Sequence, residues 1–227
     1  MNIIAIIQAR MSSKRYPCKV LHPVSNKNIL QFIIERLNLI PLLKDIFVAT
    51  SIEKSDLPIK QFCNENDIKC FRGDLNDVAG RFNSLLNTFP CDAFVRVNGD
   101  SPLIDHNIIS KGISMFNNGN YDLVTNVLTR TYPKGQSVEV VNSKTFQKTY
   151  LKMYRSDYLE HVTKYFYNNE NEFNIKNFES KKQLENIQLS VDTYEDMKMF
   201  ESIVYKMDKP HWMYSLNDIL DIYWDII

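Results

Sequence analysis

Four cations crowd into ten residues near the start of the chain: Arg10, Lys14, Arg15 and Lys19, within the run AIIQARMSSKRYPCKVL from Ala5 to Leu21. A guanidinium binds phosphate oxygens through a fixed fork of N–H donors, and an ammonium supplies a compact charge for a phosphate that moves or gains charge. Ser12 and Ser13 lie among them, and their backbone N–H groups add further donors. Two acids complement this loop, Asp100 in VRVNGDSPLID and Asp192 in LSVDTYED. Mg²⁺ takes one or two carboxylates and fills its shell with water and substrate phosphates, so such a pair beside a cationic loop predicts a metal–triphosphate site. Each acid has a plainer reading. Asp100 suits a turn or a helix cap, and Asp192 suits the N-cap of a helix starting at Tyr194, with Glu195 and Asp196 nearby as rivals. Neither GxxxxGK[ST] nor GxGxxG occurs, which removes the main support for an ordinary ATPase or a dinucleotide enzyme.

Further candidates are polar residues on regular elements. Glu139 alternates with Val138 and Val140 in a strand-like run, so it faces either solvent or sugar hydroxyls. Glu160 and His161 are consecutive in the helix-like DYLEHVTKYFYNN and point about 100° apart, which argues against a directly paired dyad.

The elements that must position these residues alternate in type. Strands are predicted at Ile3 to Ile7, DIFVATS, IKCFRGD and DAFVRVNGD; helices at the stretch around Ile29 to Leu37, DLPIKQFCNEND and DVAGRFNSLLNTF. That alternation describes a mainly parallel sheet with crossover helices, an α/β fold in three layers. Beyond HNIISKGISMFNNGN the pattern shifts to YDLVTN and SVEVVN, separated by a turn at Pro133 and Gly135. Strands EFNIKNFES and NIQLSVDT follow, then helices YEDMKMFESIVYKM and SLNDILDIYWDII. A single domain over 1–227 with a β-rich excursion around 121–190 is expected. In open α/β sheets ligands gather at the carboxyl ends of strands, which here carry Thr50-Ser51, Arg72-Gly73-Asp74, Asn98-Gly99-Asp100 and Asp192-Thr193.

Composition narrows the partners. Lys plus Arg and Asp plus Glu are both 27, so the formal charge is zero and no global basic footprint marks a nucleic-acid or anionic-membrane binder. No apolar run approaches a membrane span, and the first residues lack a secretory pattern, so a cytoplasmic protein is expected. The four cysteines and four histidines show no zinc spacing, and free thiols are expected.

The segments IIQARMSSKRYPCKVL, FRGDLNDVAGRF, VRVNGDSPLID, PKGQSVEV, LEHVT and LSVDTYEDM resemble, in order and spacing, the SpsF-type cytidylyltransferases of spore-coat polysaccharide synthesis. More distantly they resemble enzymes that activate Kdo and nonulosonic acids with CMP. The resemblance implies a nucleotidyltransferase (Rossmann-like) fold, CTP as donor, Mg²⁺ as cofactor, a sugar or sugar-acid acceptor and often a homodimer. It implies triphosphate contacts from Arg10, Ser12, Ser13, Arg15 and Lys19, a place near the base for Arg72 and Gly73, and metal ligation by Asp100 and Asp192; Ala9, Thr50 and Asn98, at the strand ends, join them as nucleotide-binding candidates. Arg10 and Lys19 join those two acids as catalytic candidates, and Gln136, Glu139, Glu160 and His161 fall where an acceptor would lie. Ser12 and Cys18 stand where the pattern commonly has glycine, Tyr16 replaces a frequent leucine, and Leu159 replaces an arginine that often precedes Glu-His. Arg130, Lys134 or Arg155 would serve an acceptor carboxylate. Two other readings stay open: a glycosyltransferase of related fold, weakened because Asp100-Ser101-Pro102 lacks the DxD pair, and a nucleotide-binding module without turnover.

Overall fold

The computed structural model describes residues 1–227. A seven-stranded sheet runs in the order β5-β4-β1-β6-β8-β7-β9, built from β1 (Ile3–Gln8), β4 (Asp45–Ser51), β5 (Lys69–Gly73), β6 (Ala93–Asn98), β7 (Leu123–Thr125), β8 (Glu139–Asn142) and β9 (Ile175–Asn177). β5, β4, β1 and β6 are mutually parallel, β8 is antiparallel to both β6 and β7, and β9 runs parallel to β7. A two-stranded hairpin, β2 (Pro23–Val24) and β3 (Lys27–Asn28), follows the first loop. The segment 121–190 therefore extends the sheet through β7, β8 and β9.

β1 is apolar from Ile3 to Ile7 because both its faces are covered there. Ile3, Ala5 and Ile7 join the larger core cluster with α1 (Ile29–Leu37), α4 (His106–Asn117), α8 (Tyr194–Tyr205) and α9 (Leu216–Trp224). Ile4 and Ile6 join the smaller one with Phe47, Ala49, Phe94 and Val141, under α3 (Val78–Thr88), α5 (Ser143–Tyr150) and α7 (Lys164–Asn168). On this second face the strands end in polar residues, Gln8 on β1 and Arg96 and Asn98 on β6, and there the covering layer opens. α2 (Leu57–Glu65) completes the crossover between β4 and β5.

Two expectations are corrected. NIQLSVDT is not a strand: it makes one parallel bridge, Lys134 with Gln188, and otherwise follows the loops through isolated bonds such as Leu189 N–H to Lys134 O and Val191 N–H to Asp100 O, each 2.8–2.9 Å. DYLEHVTKYFYNN is two helices, α6 (Ser156–Glu160) and α7, because His161 leaves helical geometry at ψ 88° and the hydroxyl of Thr163 is drawn inward to Glu139. The sequence reading also passed over α5, whose N-cap Asn142 accepts from Thr145 N–H at 3.0 Å. Of the apolar residues on α9, Ile219 and Leu220 are buried while Trp224 is 54% exposed. No helix is long and apolar enough to cross a membrane, and the four cysteines are free thiols.

The C-terminal segment is pinned to α1 by Arg36, fully buried, which donates to the carbonyls of Ile104, Tyr214 and His211. Beside it His211 is 6% exposed, with Nε2 at 2.7 Å from Glu35 Oε2 and a buried Nδ1 that has no partner. That is the environment of a neutral imidazole donating from Nε2. Burial pulls its pKa from 6.5 to about 4, against the Glu35 hydrogen bond and with help from the Arg36 charge. The unfolded chain thus takes up this proton near pH 6.5 and the folded chain only near 4, so the stabilisation is complete above that window and is lost as pH falls through it. Between pH 7 and pH 5 the loss should be about 2 kcal/mol. Urea unfolding at the two pH values measures it, and in His211→Gln this share of the slope should vanish.

Candidate active site

The first loop leaves β1 at Ala9 and is held by an acid that the sequence reading passed over. Asp56 is fully buried and accepts from Met11 N–H at 2.7 Å, from Ser51 N–H at 3.3 Å and from the Ser51 hydroxyl. Cys18 N–H returns to Met11 O at 2.8 Å, closing the loop, and Cys18 itself sits at φ +62°. A left-handed backbone is cheapest for glycine, which explains the glycine of the family pattern at this position. Asp56→Ala would strand two backbone donors at a cost of about 1–3 kcal/mol each. A chain of this length should then melt about 4–24 °C lower, with weaker binding of any ligand that the loop holds. A thermal melt and a CTP titration of the variant check both.

Lys19, at 7% exposure, is the centre of the site. Its Nζ lies 3.1 Å from Asp192 Oδ1, 3.4 Å from Asp100 Oδ2 and 2.6 Å from Val191 O. The two acids, 92 positions apart, thus face one buried ammonium. The bond from Val191 N–H to Asp100 O, 2.8 Å, sets the two loops side by side. Neither acid is a helix cap. Thr193 and Asp196 form the capping box of α8, which spends Asp196 on the backbone, and Asp105 caps α4. Arg15 Nη2 also reaches Asp192 Oδ1, at 2.9 Å.

Around this centre opens a cleft of about 530 Å³. It collects Ala9, Arg10, Ser13, Lys14, Arg15, Lys19, Asn98, Asp100, Glu160, His161 and Asp192 from the sequence candidates, and adds Gln8, Arg81 and Arg96. Six cations and three acids line it, so a chain with no net charge concentrates positive charge here, as a polyanionic ligand requires. Arg10 Nη2 lies 3.5 Å from Glu160 Oε1 across the cleft. Ser12 lines an adjoining groove with Arg10, Lys14 and Asp74. Arg81, 3% exposed, spends its donors on the carbonyls of Ala49, Asp74 and Leu75; burial holds it below the usual arginine range, Asp56 working the other way.

Several expected contacts lie elsewhere, and strand parity explains most of them. Thr50 and its register partner Arg72 share the sheet face of Val48 and Cys70, away from the cleft; Thr50 is fully buried and Arg72 donates to Ser51 O and Glu53 O. Gly73 packs on Arg81, where a Cβ would come within 2.9 Å of Cγ. Gln136 is fully buried and ties Asp105 N–H to Leu103 O. Glu139, 2% exposed, faces neither solvent nor cleft but Arg96 and the hydroxyls of Thr163 and Tyr167. Gly99 leaves room for β1 rather than for a ligand: an added Cβ would sit 2.7 Å from Gln8 O. Of the cations offered for a carboxylate, Arg155 pairs with Asp157, Arg130 bonds Ser137 and Lys134 lies in the bridge to Gln188, all outside the cleft.

A cytidylyltransferase family model matches residues 4–221, nearly the whole chain. The chain belongs to the cytidylyltransferase family. This cytidylyltransferase is 27% identical to the spore coat polysaccharide biosynthesis protein SpsF of Bacillus subtilis over 214 residues, 90% of this chain and 87% of that one. It superposes on a cytidylyltransferase of Leptospira borgpetersenii with a TM-score of 0.92 at 27% identity, covering 100% and 95% of the two chains. The fold is also that of a CMP:2-keto-3-deoxy-manno-octonic acid synthetase solved with CTP, TM-score 0.70 at 14% identity, covering 91% and 99%.

The donor chemistry of this cytidylyltransferase fits the Mg²⁺ that the family resemblance implies. Two carboxylates converge on a point already occupied by a positive charge, and no third Asp, Glu, His or Cys joins them. A divalent ion there would need its remaining ligands from water and substrate oxygens, which is how Mg²⁺ is usually bound.

Proposed function

We propose that this protein transfers CMP from CTP to a hydroxyl of a sugar or sugar acid and releases pyrophosphate, in the synthesis of a surface polysaccharide or related glycan. The observation that carries the reading is the convergence of Asp100, Asp192 and Lys19 in a cleft to which the first loop adds Arg10, Lys14 and Arg15. Such a transfer needs alignment and charge neutralisation more than covalent help. Arg10, Lys14 and Arg15 supply donors for the triphosphate. Lys19 meets charge on the transferred and leaving phosphates. Asp100 and Asp192 would hold Mg²⁺, which supplies Lewis acidity and charge neutralisation at the phosphates. Glu160 and His161 flank the opening through which the acceptor would approach.

A thermal-shift panel of the four nucleoside triphosphates, each with Mg²⁺, tests the donor. A ligand at 100 times its dissociation constant adds about 2.7 kcal/mol, some 5–10 °C for a chain of this size. CTP should stand out, and equal shifts for all four would remove the donor assignment. Pyrophosphate release with CTP and an acceptor then separates a transferase from a binding module, and failure with CTP but turnover with a sugar nucleotide would favour a glycosyltransferase. We place the reaction in the cytoplasm and expect a homodimer, for which light scattering should give twice 26.7 kDa.

A further inference from the structure

An ion pair is buried in the sheet beneath the cleft, and the chemistry above does not use it. Arg96 on β6 stands opposite Glu139 on β8, with side chains 12% and 3% exposed. Arg96 Nε donates to Gln8 Oε1 at 3.0 Å, and Nη1 donates to Glu139 Oε2 and, at 3.4 Å, to Thr163 Oγ1. The other Glu139 oxygen accepts from the hydroxyls of Thr163 and Tyr167, each at 2.6 Å. Burial works against the Glu139 charge, yet Arg96 and these hydroxyls more than offset it and hold the carboxyl below its ordinary range. Three of the five guanidinium N–H groups therefore face inward. Nη2 makes no hydrogen bond within the protein and is not sealed from solvent, while Arg96 lines the cleft beside His161.

A buried ion pair is poor evidence for stability, since apolar residues of similar volume often do as well or better. What it provides here is a guanidinium fixed on one side and free on the other. We propose that Arg96 is an acceptor-contacting residue, that its free Nη2 donates to a hydroxyl oxygen of the acceptor, and that Glu139 is its positioning residue. The inference rests on the proposed transferase activity. The contact must be to a lone pair, because a guanidinium offers no acceptor atom. The charge of Arg96 is already matched by Glu139, so its free Nη2 suits a neutral oxygen better than a further phosphate.

Two variants test it, because Arg96→Gln alone would leave Glu139 buried without a partner. Arg96→Lys keeps the charge but cannot bond inward and reach the cleft together; the double variant Arg96→Gln with Glu139→Gln removes both charges. Each is assayed by pyrophosphate release with CTP, Mg²⁺ and a panel of 3-deoxy-manno-octulosonate, N-acetylneuraminate, a hexose 1-phosphate and a free hexosamine, and by CTP calorimetry. For every acceptor that the unmodified protein uses, KM should rise about 10–100-fold, the scale of one lost charge-assisted hydrogen bond. The CTP dissociation constant should stay within about twofold, below what one hydrogen bond is worth. A tenfold weaker CTP affinity would move Arg96 to the nucleotide, and unchanged KM values would remove it from substrate contact. A loss confined to the two sugar acids would make its ligand a carboxylate. Each of the three overturns the proposal. If the unmodified protein turns over none of the panel, the transferase reading fails first, a result distinct from turnover indifferent to Arg96.

Discussion

Lys19→Ala should lower kcat about 10²–10³-fold, the usual scale for removing one preorganised electrostatic donor from a water-poor site. The size follows from the setting of the side chain. Its ammonium is nearly buried and touches both acids and the Val191 carbonyl, so it is held in place before substrate arrives. A charge fixed in advance does not have to be reorganised as negative charge builds on the phosphates. Lys19→Met separates charge from bulk, since it keeps the stem and removes only the ammonium; it should lose activity as severely as alanine while melting closer to the unmodified protein. Single-turnover rates with CTP measure the first effect and thermal melts the second. A rate within threefold of normal in both variants would take Lys19 out of the chemistry.

The second large effect belongs to the two acids. Asp100→Asn and Asp192→Asn keep shape but remove one negative charge each from the pair that faces Lys19. Outer-shell substitutions at metal sites already cost about 10–100-fold in affinity, so loss of a direct ligand should raise the Mg²⁺ concentration for half-maximal activity by at least about 100-fold. The double variant should cost less than the product of the two singles, because residues that serve one ion are not independent. A Mg²⁺ titration of initial rates reads all three. If only one substitution shifts the requirement, the other acid serves to hold Lys19 or Arg15 and the metal takes a different second ligand.

Much of this site was legible because its residues follow parallel strands. The cations behind β1 and Asp100 behind β6 belong to a sheet whose carboxyl ends must face one crevice, and the apolar runs mark those ends clearly. Asp192 reaches the cleft by a route other than the one its sequence suggests: NIQLSVDT has the alternation of a strand, but a bond from Val191 N–H to Asp100 O, not a ladder, brings it in. Thr50 and Arg72 failed because proximity to a strand end does not say which face a side chain takes, and both fall on the face opposite the cleft. Alternation turned Glu139 toward either solvent or sugar hydroxyls, and nothing local announces that Arg96, 43 positions earlier, stands across from it in the sheet. Asp56 was invisible for a similar reason, since it works by holding Met11, 45 positions before it.

The most direct test of the account is anomalous diffraction from crystals grown with Mn²⁺ and CTP. One manganese peak should lie about 2.1 Å from a carboxylate oxygen of Asp100 and of Asp192, with phosphate oxygens of the nucleotide completing its shell. Manganese bound by the triphosphate alone, with both acids still closed on Lys19, would contradict it.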